Sequence, residues 1–555
     1  MNTQDPNAGV QRPDTRAISR RQAVGYGGAG LAGTVLGAAG LNRAATAQDD
    51  ATPVAADAGE ATPDVTTDGV ASAAEKLDAI VADFLQRTGV PGLAVAIVHQ
   101  DQVVRLAGYG VRKVGTGEQV DADTVFQLAS VSKCLASTTV AAVVGDGTVT
   151  WDTRISDIDP SFALNDAWVT REVTLTDLFS HRSGLVDHAG DLLEDLGYGR
   201  TEVLHRLRYL RPGGPFRAHY AYTNFGLTSG AVAAATATGM EWEDLAATRL
   251  YKPLGMTSTS SRFDDFMAAA NRASPHVLVD GAWVAKYQRQ PDAQSPAGGV
   301  SSTVRDLAQW LRLLLAGGTV DGQEIVETAA LGETFRPYSV NNRAVDPATD
   351  RTGFYGLGLN VGYDAEGRVT LGHSGAFNLG AATNVALLPG EELGIIVLSN
   401  AAPVGLVESV SASFMELATT GALANDYLAI IGPILTAAVA PEYGQAVDYA
   451  APPADPGPAL DLDAYAGQFT NDYYGDASVT AENDALVIHL GPDQTPYEMR
   501  HFNRDVFLYQ PVGENAAGES AVSFAVGADG LAGSVTVEIL DQSGQGTFVR
   551  AASSE

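Results

Sequence analysis

Cysteine is nearly missing from this chain: Cys134 is the only one in 555 residues. No intramolecular disulfide can form, and a cysteine-ligated structural zinc has too few thiols. A lone cysteine inside a helix reads as a small buried hydrophobe rather than a reactive thiol. Lysine is scarce as well, with only Lys76, Lys113, Lys133, Lys252 and Lys286. Positive charge as a whole is outnumbered, 34 Lys and Arg against 66 Asp and Glu, for a formal net charge of −32. So acidic a surface repels nucleic acid and anionic lipid, and neither is expected as a partner. It keeps an extracellular protein soluble by self-repulsion, with an acidic patch for cationic substrates as the alternative. No H-E-x-x-H motif or Cys/His cluster occurs, so neither metal nor cofactor is expected. His181 and His188 are too loosely spaced for a metal site, and His181 is expected to order a loop beside a cleft. Beyond the N-terminal region no apolar run is long enough to span a membrane. The run from Tyr427 to Leu435 is short and broken, and reads as a helix bridging two domains; a surface for self-association, and hence a homo-oligomer, is the other reading.

What is present begins with an address. Arg20-Arg21 precedes a mild, glycine-rich apolar stretch and the small-x-small site Ala45-Thr46-Ala47. This resembles a twin-arginine export signal over residues 1–47, cleaved after Ala47, and implies a periplasmic or extracellular protein. An ordinary secretory signal or a retained anchor are the alternatives. Residues 48–69 are rich in Ala, Asp, Thr and Pro and read as a disordered linker.

The length calls for two or three domains. Ala74, Leu77, Ile80, Val81 and Phe84 recur at helical spacing. Leu93–Val98 and Gln102–Ala107 predict a hairpin about His99-Gln100-Asp101. A helix-rich section follows, from about Ser130 to Leu315. Strand patterns return at Gly356–Val361, Asn384–Leu388 and Leu393–Leu398. Joining the outer strands into one antiparallel sheet, with the helices beside and over it, predicts an α/β (α+β) domain over residues 70–424. A helix and Pro-rich linker fill 425–458. Beyond, Ala477–Thr480, Ala485–Leu490, Val522–Val526 and Val535–Leu540 predict a small all-β barrel or sandwich over 459–555.

Three short motifs carry chemistry. Ser130 and Lys133 stand at i and i+3 where a strand-like run enters a helix. Backbone N–H groups at that helix end favour an oxyanion. The lysine steadies an alkoxide or, once desolvated, acts as a base. Downstream, Tyr222-Thr223-Asn224 offers a phenol, whose pKa a nearby ammonium would lower, and an amide able to hold Lys133 and a substrate carbonyl. Finally, in His373-Ser374-Gly375-Ala376, small residues let a substrate backbone lie against an edge strand. The Ala376 N–H can join that of Ser130 as an oxyanion hole.

The order S-x-x-K, Y-x-N, H-x-G resembles the β-lactamase-like serine hydrolases: class C β-lactamases, low-molecular-weight penicillin-binding proteins, D-aminopeptidases and related esterases. Thr174–Leu185, Pro253-Leu254-Gly255-Met256 and Ala297–Ser302 with Asp306 are similar to further family segments. The resemblance implies the β-lactamase/transpeptidase-like fold, with Ser130 as nucleophile and Lys133 and Tyr222 sharing the base and acid roles. Asn224, His373, Ser374, Gly375 and Ala376 then line the substrate site. It also implies an appended lipocalin-like domain at the C-terminus and a small ester, peptide or amide as substrate. Where β-lactamases and transpeptidases carry a lysine, this chain has His373, largely neutral at pH 7. That shifts the expectation toward an esterase or peptidase. A penicillin-binding D,D-peptidase or β-lactamase, and a non-catalytic scaffold on the same fold, are the rivals.

Overall fold

A computed structural model describes residues 65–346, 350–438, 443–451 and 453–552. The expected export signal and most of the expected linker lie outside them. The linker's last residues do not: helix α1 (Thr67–Thr88) starts three residues before its expected edge. Thr66 caps it by accepting the Gly69 N–H, and Gly89, at φ 65°, ends it. Val70, Leu77, Val81 and Phe84 form its buried stripe.

Strands β1 (Gly92–His99) and β2 (Gln102–Gly110) form the predicted hairpin. The chain then builds the helical part. This includes α2 (Ser132–Gly145), α3 (Leu175–Phe179), α4 (Asp191–Asp195), α5 (Asn224–Thr238) and α6 (Val304–Leu315). It returns to the sheet with β3 (Ser339–Asn342), β4 (Gly353–Tyr355), β5 (Asn360–Tyr363), β6 (Val369–Phe377), β7 (Ala381–Leu388) and β8 (Leu393–Ser399). The order β2-β1-β8-β7-β6-β5-β4-β3 joins the first strands to the last, with β1 antiparallel to β8 from Leu93↔Ser399 to His99↔Leu393.

Both faces of the sheet centre are covered, which suits a β1 that is apolar from Leu93 to Val98. Leu93, Val95 and Ile97 pack with α1 and α7 (Leu406–Thr420). Ala94, Ala96 and Val98 face α6 and the helical part. The predicted strand Gly356–Val361 is corrected. Residues 356–359 form a bend that packs on α2, where Leu357 O accepts from Ser137 Oγ and Gly358 O from Cys134 Sγ. Only Asn360 and Val361 enter β5. Cys134 is fully buried, and burial pushes its thiol pKa up. Helix α8 (Tyr427–Ala438) packs Tyr427, Ile431 and Leu435 against Ala412 of α7.

Past the proline-rich stretch, eight strands close a barrel: β9 (Gly467–Asn471), β10 (Gly475–Glu482), β11 (Ala485–Leu490), β12 (Thr495–Asn503), β13 (Val506–Tyr509), β14 (Ser520–Val526), β15 (Ala532–Val537) and β16 (Thr547–Arg550). Each pairs with the next, and Phe469↔Arg550 closes the ring. The expected strand to Leu540 stops at Val537, where a 3-10 turn takes over. The barrel docks on the helical part. Tyr198 Oη donates to Tyr474 O, Arg206 donates to Tyr473 O, and Asp195 accepts from Glu514 N and Asn515 N.

One ion cluster pins the loops leading to the candidate site. Asp177, fully buried in α3, takes Arg182 Nε at 2.8 Å and Arg217 Nη2 at 2.8 Å, besides its capping box with Thr174. Asp177→Ala leaves the half-buried Arg182 and the exposed Arg217 without their carboxylate and removes the α3 capping box, and should cost about 2 kcal/mol in denaturant unfolding. A loss under 1 kcal/mol would show that the cluster holds nothing.

Candidate active site

Ser130 is delivered by a forced turn. Phe126–Gln127 pairs with Ser301–Ser302, and Leu128 N donates to Val300 O. Ala129 then takes φ 47°, uncommon for a residue with a Cβ, and opens a 3-10 turn over Ala129–Val131. Ser132 starts α2. Ser130 thus stands at the helix entrance as expected, one turn from Lys133.

Lys133 is completely buried. Its Nζ reaches Asn224 Oδ1 at 2.6 Å, Ala297 O at 2.8 Å and Ser130 Oγ at 3.2 Å. Nζ also lies 4.7 Å from the Tyr222 ring centroid. Burial pulls the ammonium pKa down to about 7, opposed by the Asp191 carboxylate. In the neutral amine, two N–H bonds serve Asn224 and Ala297, and the lone pair is left for the Ser130 proton.

Tyr222 Oη donates to Ser130 Oγ at 2.8 Å. The expected lowering of its pKa is overturned: burial pushes the phenol well up. The ammonium sits over the ring face, not at the hydroxyl, and gives the phenolate no direct partner. Tyr222 is therefore a neutral proton donor. Behind it His181 accepts from Thr223 N at 3.2 Å, with ring centroids 4.6 Å from Tyr222 and 4.7 Å from Tyr355. It orders this loop, as expected.

Asn224, the first residue of α5, turns its Oδ1 to Lys133 and donates from Nδ2 to Asp191 Oδ2 at 2.8 Å. The same carboxylate oxygen is 2.8 Å from His188 Nδ1. Asp191 carries no sequence signal of its own, since acids are common in this chain, and only the fold brings it here.

Strand β6 splits the remaining predicted residues between two faces. Its pairing with β5 ends at Gly372, so His373–Phe377 has a sheet partner on the β7 side only. Gly375 lies directly against the Ser130 turn: a Cβ there would stand 2.3 Å from Leu128 O and 2.9 Å from Ser130 N. His373 is on the same face, but both ring nitrogens are engaged. Nδ1 lies 2.6 Å from Ser374 O, an acceptor only, so it carries the proton. Nε2 then accepts from Tyr355 Oη at 2.9 Å. Burial and the Lys133 charge lower its pKa to about 3, so the ring is neutral and presents no cation. Ser374 is corrected: alternation turns it to the opposite face, where its Oγ accepts from Asn384 Nδ2 at 3.0 Å beside the buried Glu408. Ala376 shares that face and leaves only its backbone for the site.

One antiparallel sheet with a helical part, and a serine, a buried lysine and a tyrosine in contact between them, is the arrangement expected of the β-lactamase/transpeptidase-like fold. Comparison with known proteins agrees. The family model described as β-lactamase matches residues 77–412, and the chain belongs to the β-lactamase family. A model for a domain of unknown function (DUF3471) matches residues 451–549, the barrel. Penicillin-binding protein 4 of Amycolatopsis lactamdurans is 29% identical over 56% of this chain and 81% of its own. The unguisins hydrolase of Aspergillus violaceofuscus is 24% identical over 75% of this chain and 78% of its own. An octameric penicillin-binding protein homologue from Pyrococcus abyssi has the same fold, with a TM-score of 0.53 at 18% identity over 84% of this chain and 98% of its own.

Gly375→Ala must push the strand off the Ser130 turn. It should slow labelling of Ser130 by a fluorophosphonate about 100-fold and destabilise the fold by roughly 1–3 kcal/mol in denaturant unfolding. Unchanged labelling would show that the strand has room to spare.

Proposed function

We propose that this protein is an exported serine hydrolase that cleaves ester or amide bonds through an acyl-enzyme on Ser130. The observation that carries the reading is the closed set of contacts in which Ser130 Oγ meets Lys133 Nζ and Tyr222 Oη at once. The neutral Lys133 amine takes the Ser130 proton as Oγ bonds to the substrate carbonyl carbon. The N–H groups of Ser130 and Ala376 hold the oxyanion. Tyr222 gives its proton to the leaving alcohol or amine and regains one from the Lys133 ammonium, relayed by the water that takes the leaving group's place. Water then attacks the acyl-enzyme, passes a proton to Lys133, and the Ser130 oxygen leaves with it. Asn224 and the β6 edge at Gly375 bind the acyl part.

The buried, neutral His373 disfavours substrates that need a fixed cation for a carboxylate. The reading therefore favours esters and peptides over β-lactams. We place the hydrolase domain at 70–424 and the β domain at 459–555. Export through residues 1–47, with removal after Ala47, and assembly into a homo-oligomer complete the proposal. An octameric protein of the same fold makes that assembly worth testing by light scattering.

The decisive experiment is turnover of p-nitrophenyl esters, D-amino-acid amides and nitrocefin by wild type and Ser130→Ala. The variant should lose at least ~10⁴-fold of its kcat. Activity that survives in it would sink the mechanism, and lasting labelling by fluorescent penicillin would favour the D,D-peptidase reading. Because Lys133 acts as a base only when neutral, kcat/KM should rise with pH through about 7. A flat profile from pH 5 to 9 would remove Lys133 from the base role.

A further inference from the structure

Helix α4, Asp191–Asp195, has only five residues and cannot hold a position by itself. Its first residue supports the candidate site: Asp191 takes the Asn224 amide whose other end grips Lys133. Contacts from the barrel meet both ends of this helix. At the start, Gly190 N donates to Tyr473 Oη at 2.9 Å, and Tyr473 is buried. At the other end, Asp195 Oδ1 accepts Glu514 N, and Oδ2 accepts Asn515 N and Nδ2, each at 2.9 Å. Gly513, at φ 133°, makes that approach feasible, since a Cβ would stand 2.5 Å from Asp195 Cγ. The same loop crosses to the other wall, where the Glu514 carboxylate accepts from Asn378 N, just past β6. The catalytic domain contributes Leu193 in the core and the Glu194 pairing with Arg289.

We propose that the barrel is a positioning module for the catalytic centre: Tyr473 and the Glu514–Asn515 loop hold α4 so that Asp191 sets Asn224 and, through it, Lys133. The catalytic consequence rests on the hydrolase reading above; the geometric one does not. Tyr473 and Asn515 are positioning residues, since neither touches Ser130 or Lys133. The groups facing Lys133 are the Asp191 carboxylate, the thiol of Cys134, the phenol of Tyr222 and the neutral rings of His181 and His373. Of these only Asp191 is a fixed charge that favours the ammonium. If α4 drifts outward, Lys133 loses that support and must titrate at lower pH.

Five lysines make this directly readable by NMR of the full-length protein labelled at lysine, with the Lys133 signal assigned by Lys133→Met. Asp191→Asn should lower the Lys133 pKa by about one unit. Tyr473→Phe and Asn515→Ala should each lower it by roughly half that. The rising limb of kcat/KM should move to lower pH by the same amounts. Gln545→Ala is the control. Gln545 meets Tyr209 O and Arg211 N on the same interface but away from α4, and its loss should lower Tm while the Lys133 titration stays put. An unmoved Lys133 in both Tyr473→Phe and Asn515→Ala overturns the proposal. An equal shift in Gln545→Ala also overturns it, by reducing the effect to general loosening. The NMR titration needs no substrate, so it stands or falls separately from turnover surviving in Ser130→Ala.

Discussion

The desolvation of one amine governs this structure. Lys133 has no contact with solvent, and an ammonium in such a place is tolerated only where acceptors replace its water. Those acceptors come from separate parts of the chain: Ser130 from the turn before α2, Asn224 from α5, Ala297 from the short helical turn Ser295–Gly298, with Asp191 of α4 behind them. Each must arrive at the right place for any of them to serve. The same burial that lowers the lysine raises the Tyr222 phenol and lowers His373. Two proton positions near Ser130 are thereby separated: an amine whose charged form is disfavoured, and a phenol that holds its proton.

The framework of this fold could be read from residue patterns alone, because it rests on local signals. The β1–β2 hairpin shows as two apolar runs about His99-Gln100-Asp101, and Gln100 and Asp101 do take the positive φ a tight turn requires. The scarcity of lysine made Lys133 conspicuous, and Cys134 behaves as the small buried hydrophobe that a helical position suggested. What escaped was non-local. Gly356–Leu359 has the composition of a strand but bends, because its carbonyls are claimed by Ser137 and Cys134. Ser374 belongs to a motif, yet the period of a strand places neighbours on opposite faces, and that rule applied from the start. Asp191 could not be found without the fold, since nothing nearby marks it among 66 acids. Tyr222 shifts upward because burial outweighs the nearby cation, and a tripeptide carries no sign of its burial.

The histidine of the third motif gains a definite role from its surroundings. Tyr355 and Ser374 O consume both of its nitrogens, so His373 links β6 to β4 across the strand between them. It stabilises the wall of the site rather than reaching into it. The wall it holds offers this part of the site backbone and shape, with no counter-ion from His373.

The joining of β1 to β8 also dictates an order of events when the chain folds. Leu93 and Ser399 are partners, yet roughly 300 residues separate them, and closing so long a loop is slow. Until β8 exists, β1 has an apolar face on either side and only β2 for company, the state most open to aggregation. The barrel faces no such delay, since all but one of its pairings join consecutive strands. The C-terminal domain can therefore mature on its own schedule, while the two N-terminal strands of the sheet wait for a partner made late in synthesis.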